Sequence, residues 1–111
     1  MENREHAVLV KIGPLRGSFG DDDERREIAL LEMRIEQLLA SRTVGEIDGD
    51  EFGEGNCTIY LYGSNADRLA GLILPLLANS IFAACTQITK RYGPPGAPEE
   101  QLDVSLAQGS R

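Results

Sequence analysis

From Cys57 to Gly93 the chain passes through an alternating apolar segment, a tyrosine-glycine turn, an amphipathic stretch and a second strand-like segment ending Arg91-Tyr92-Gly93. That order constrains the fold more than any other feature of the sequence. Over Cys57 to Tyr62, Cys57, Ile59 and Leu61 point one way and Thr58, Tyr60 and Tyr62 the other, the period of two of a half-buried strand. After Gly63, Ser64 or Asn65 can cap a helix with the stripe Leu69, Leu72, Ile73, Leu76 and Leu77. Pro75 falls inside that stripe and lacks a backbone donor, which predicts a kink or an early change of helix geometry. Ala84 to Tyr92 reads as the following strand, stopped by Gly93-Pro94-Pro95-Gly96.

The first half of the chain supplies matching pieces. Ala7 to Ile12 is a β-branched run ended by Gly13-Pro14, suited to a central strand with Val8, Val10 and Ile12 on one face. Leu15 to Gly20 reads as a flexible glycine-bearing connector. Asp21, Asp22, Asp23 and Glu24 then stand where a helix start favours negative charge. Ile28, Leu31, Ile35, Leu38 and Leu39 repeat at helical spacing to about Ser41. Thr43 to Asp48 is a further strand, joined to Cys57–Tyr62 by the polar, glycine-rich run Gly49 to Asn56 as an antiparallel hairpin. Beyond Gly96, Leu102, Val104 and Leu106 alternate with polar residues, giving either a fifth edge strand or a loose tail.

Strand, helix, strand, strand, helix, strand is the split βαβ order, an α+β arrangement with an antiparallel sheet and both helices on one face. It resembles the ferredoxin-like (βαββαβ) class from Ala7 to Tyr92. Gly45 to Gly55 together with Tyr60 to Asp67 and Arg91-Tyr92-Gly93 also resembles small bacterial domains of this fold that carry no assigned function. The resemblance implies a fold and no reaction. At 111 residues one domain is expected, over residues 7–93. A flexible N-terminus at 1–6 precedes it, and a Pro/Gly linker with tail or edge strand follows at 94–111.

Charge narrows the partners. A net charge of −7 disfavours nucleic acid, whose binding needs many cations on one surface, and suits a basic protein partner. No apolar run approaches the roughly 20 residues of a membrane span, and the N-terminus lacks the pattern of a secretory signal; a cytoplasmic protein without a membrane partner is the expectation. The two cysteines, Cys57 and Cys85, lie far apart in apolar segments and read as buried free thiols.

If the helices cover Val8, Val10, Ile12, Ile59, Leu61 and Ile88, then Leu9, Lys11, Thr58, Tyr60, Tyr62, Gln87, Thr89 and Arg91 share the other face. Tyrosines, a leucine and two cations suit a contact surface. Leu9, Lys11, Tyr60, Tyr62 and Arg91 are therefore the candidate binding residues of a non-catalytic interaction module, self-associating as a homo-oligomer. Two alternatives stand beside it. Asp21, Asp22, Asp23, Asp48, Asp50 and Glu51 form an acidic surface by which the chain could inhibit a basic toxin or nuclease. Alternatively, a small ligand could be processed in a pocket at a subunit interface, with Tyr60, Arg91 or a hairpin carboxylate as acid, anion anchor or base.

No catalytic residue, metal or cofactor is assigned, and a non-enzyme is expected. Glycines 13, 17 and 20 match no phosphate-binding pattern. Glu46, Asp48, Asp50, Glu51 and Glu54 crowd the hairpin without the alternating ligands of a calcium loop, so a solvated acidic loop is expected. His6 reads as an exposed, incidental histidine.

Overall fold

The computed structural model describes residues 5–109, with side chains from 5 to 106; residues 1–4 of the N-terminal tail expected at 1–6, and the last two residues, lie outside the described part. The elements are β1 (His6–Ile12), α1 (Asp22–Arg42), β2 (Gly45–Gly53), β3 (Asn56–Gly63), α2 (Ala66–Ala78), β4 (Thr86–Arg91), β5 (Glu99–Asp103) and α3 (Val104–Gly109). The five strands form one sheet in the order β2-β3-β1-β4-β5, antiparallel throughout. The protein is α+β.

Helix α1 starts where its charges direct it. Asp21 caps it by accepting from the Glu24 amide at 2.8 Å, while Glu24 Oε1 accepts from the Asp21 amide at 2.9 Å, a reciprocal capping box. Ile28, Leu31, Ile35 and Leu39 form its buried stripe. Asn65 caps α2, which buries Leu69, Ala70, Ile73 and Leu77 and runs through Pro75 to end three residues later at Ala78. Both helices pack on the face of the sheet that carries Val8, Val10, Ile12, Ile59, Leu61 and Ile88, all 0% exposed.

Several boundaries differ from the sequence reading. Strand β2 reaches Gly53, and the supposed eight-residue connection shrinks to a tight turn at Glu54 (φ 54) and Gly55 (φ 81). Two successive left-handed residues match the twist of a hairpin, so acids that resembled a loop are strand residues. The connector after β1 is tied to that turn: the Leu15 amide donates to Gly55 O at 2.6 Å, and the Gly55 amide to Ser18 O at 2.9 Å. Cys85 lies in a short 3-10 turn, Ala83–Cys85, ahead of β4, because Thr86 Oγ1 donates back to Phe82 O at 2.6 Å. It is partly exposed, whereas Cys57 is buried, and both thiols are free. The fifth strand exists, but it ends at Asp103; Val104 opens α3 and is fully buried.

His6 is not incidental. It begins β1, its Nδ1 accepts from the Ala66 amide at 3.0 Å, and its ring meets Tyr92 edge-on at 5.9 Å. The Tyr92 hydroxyl lies 2.7 Å from Asp67 Oδ1 and 3.1 Å from Glu100 Oε1. Lys90, its side chain 14% exposed, pairs with the same carboxylates at 3.0 and 2.9 Å. The hydrogen bonds it donates to Glu100 and Asp67 push the Lys90 ammonium above its usual range. Lys90→Ala is expected to cost about 1–2 kcal/mol, above the value of an exposed pair because the lysine is mostly enclosed. Amide exchange should then accelerate in β5 before the rest of the sheet; uniform exchange across all strands would show that the network does not fasten β5.

Candidate functional site

The face of the sheet opposite the helices presents three rows of residues set by strand register. Glu46, Tyr62, Ala7, Arg91 and Glu99 form one row; Gly49, Tyr60, Leu9, Thr89 and Gln101 the middle one; Glu51, Thr58, Lys11, Gln87 and Asp103 the third. The middle row carries no charge. Each outer row places a cation on an inner strand and carboxylates on both edge strands. Leu9, Tyr60, Tyr62 and Arg91 are half-buried, and Lys11 is exposed. The five candidate binding residues thus occupy the three inner strands of one surface. The Tyr60 hydroxyl donates to Glu51 Oε1 at 3.0 Å, a bond that raises the tyrosine pKa. Arg91 Nε donates to Gly93 O at 2.8 Å. Lys11 stands between two shallow depressions of about 470 and 350 Å³.

The acidic candidates do not form one patch. Asp21 is the α1 cap, Asp22 pairs with Arg25, and Asp23 with Arg26 at 2.7 Å, so this cluster is largely answered within its own helix. Glu51 holds Tyr60, and Asp48 lies where the β2–β3 register shifts between Ile47 and Gly49. This bulge has a consequence that alternation alone misses. Gly49, at φ 153, faces Tyr60, and Asp50 falls opposite Ile59 on the helix-covered side of the sheet.

There Asp50 meets Glu32 of α1 and Cys57 of β3. One donor atom from each residue lies within 4.8 Å of the other two. Glu32 and Asp50 line a groove of about 490 Å³ between α1 and β2. Glu32 Oε2 is shut off from water and, among the described residues, makes no hydrogen bond in the geometry seen. Burial first, then the hydrogen bond and charge of Asp50, then the charge of Glu36, push the Glu32 carboxyl from 4.5 to about 8. Burial, with Asp50 and Glu32 adding to it, pushes the Cys57 thiol up to about 12. Glu32 escaped the sequence reading because it borders the buried stripe, one residue after Leu31 and four after Ile28. Its signal was the like-charged Glu36 one turn on, an arrangement unfavourable on an exposed helix face.

No protein-family model, curated protein or solved structure matches the chain, and among the described residues no helix is long and apolar enough to cross a membrane.

Proposed function

We propose that the protein is a non-catalytic interaction module that self-associates face to face through the uncovered side of its sheet. The observation that carries this reading is the uncharged middle row, Tyr60-Leu9-Thr89, flanked by rows with inner cations and outer acids. A two-fold axis laid across the strands at the Leu9 row superposes the Lys11 row of one copy on the Arg91 row of the other. Arg91 then stands over Gln87 and diagonal to Asp103 of the second copy, and Lys11 over Ala7, while the acids of the edge strands, Glu46 with Glu51 and Glu99 with Asp103, face one another at the rim. The tyrosines and Leu9 therefore supply the attraction as rigid contact area, the pattern of a closed symmetric dimer.

We also read the four-strand core β2-β3-β1-β4, with both helices on one face, as ferredoxin-like, with β5 and α3 added beyond β4, and the compartment as cytoplasmic. The inhibitor alternative is weaker, because Asp21, Asp22 and Asp23 are engaged within α1.

Tyr60→Ser combined with Tyr62→Ser should weaken self-association at least tenfold by sedimentation, about 1.4 kcal/mol, with the circular dichroism of the monomer unchanged. Equal association by variant and parent would overturn the assignment of this face. Because the chain carries a charge of −7, added salt should strengthen association by screening repulsion between copies, whereas binding to a basic partner would weaken.

A further inference from the structure

The groove between α1 and β2 lies on the other side of the sheet from the proposed interface, and its chemistry is independent of it. Three elements each bring one ligand-type atom to the same place: Glu32 from α1, Asp50 from β2 by way of the bulge, and Cys57 from β3. Cys57 is 0% exposed, and its thiol lies within 4.8 Å of a carboxylate oxygen of Glu32 and of one of Asp50. Glu32 Oε2 is likewise buried. Arg25 borders the groove but is committed elsewhere, donating to Gly20 O at 2.6 Å and pairing with Asp22. A buried carboxylate oxygen and a buried thiol, with the exposed carboxylate of Asp50 beside them, bring three ligand-type atoms together at a place that a positive ligand can occupy by displacing the proton that Glu32 and Asp50 otherwise share.

We propose that Glu32, Asp50 and Cys57 form a binding site for a divalent cation of the zinc type. A tetrahedral ion with bonds near 2.0 Å to oxygen and 2.3 Å to sulfur sets its ligands about 3.3–3.5 Å apart. The observed spread, up to 4.8 Å, closes to that by rotation of the two carboxylates while Cys57 stays fixed in the core. The sulfur selects zinc, cobalt or cadmium over calcium and magnesium, which take oxygen ligands alone. The fourth position opens into the groove, where water or the nearby Glu36 carboxylate completes the set. Bound there, the ion would pin the edge strand β2 to α1.

The test uses the full chain, freed of metal by a chelator, titrated with Zn²⁺ by calorimetry and with Co²⁺ by absorbance. The expected result is one ion per chain and a thiolate-to-cobalt charge-transfer band. Cys57→Ser should abolish that band and Cys85→Ser should leave it. Glu32→Gln, which keeps the shape of the side chain, should weaken Zn²⁺ binding at least tenfold, as should Asp50→Asn. A band that is absent from the parent chain, or that survives Cys57→Ser and disappears with Cys85→Ser, would overturn the site. So would Zn²⁺ affinity unchanged by Glu32→Gln. These results do not depend on self-association, which Tyr60 and Tyr62 test separately.

Discussion

Alanine at Gly63 is expected to cost about 3 kcal/mol or more, at the upper end of overpacking effects, and to lower the urea midpoint accordingly. Gly45 and Gly63 face each other across β2 and β3. A Cβ on Gly63 would stand 2.5 Å from Val44 O, and one on Gly45 2.5 Å from Tyr62 O. Both obstacles are backbone atoms, which cannot rotate aside. Leu69, fully buried, presses on the same pair, with its methyl carbons 3.3–3.4 Å from the added atoms. Relief therefore means separating the strands or moving α2. Gly71→Ala is the control: open space surrounds its Cβ, and helix propensity should make it stabilising by about 0.5–1 kcal/mol. Equal effects of the two substitutions would contradict the close approach at Gly63.

The second large effect is a reversal of pH dependence at Glu32. In the unfolded chain this carboxyl loses its proton near 4.5, and in the folded chain it keeps it to about 8. Between those values the folded state holds more protons, so stability from this group is full below 4.5 and falls as pH rises toward 8. Glu32→Gln removes the charge and keeps the shape. With chelator present, it should raise stability at pH 8.5 by about 2 kcal/mol, the cost of a poorly satisfied buried charge, and change little at pH 5. Parallel stability curves for variant and parent between pH 5 and 8.5 would refute the burial of that carboxylate. Asp67 and Glu100 act in the opposite sense. Hydrogen bonds from Tyr92 and Lys90 to Asp67, and from Lys90 and Tyr92 to Glu100, hold both carboxyls below their usual values, so their contribution is lost as pH falls through the acid range.

The apolar periods located the helices and the core strands, since Ile28-Leu31-Ile35-Leu39 and Ile59-Leu61 record burial directly in residue type. Where polar residues decide the geometry, the sequence was mute. Gly49, Asp50, Glu51 and Gly53 are loop-forming types that here extend an edge strand, because solvent on its outer side tolerates them and a two-residue turn at Glu54-Gly55 suffices to reverse the chain. The bulge at Asp48 shifts register by one residue, which moves Asp50 to the opposite face. A one-residue shift leaves no trace in composition or period, so the Glu32-Asp50-Cys57 cluster was invisible. Lys90 and Glu100 were hidden for a related reason: their pairing depends on β5 lying beside β4, and the apolar alternation placed that strand too late.

The most direct test of the interaction module is the solution mass by light scattering across a concentration series, in low and moderate salt. The account predicts a mass that rises toward twice that of one chain with concentration, and does so at lower concentration in moderate salt. A single-chain mass at every concentration in both salts would contradict it.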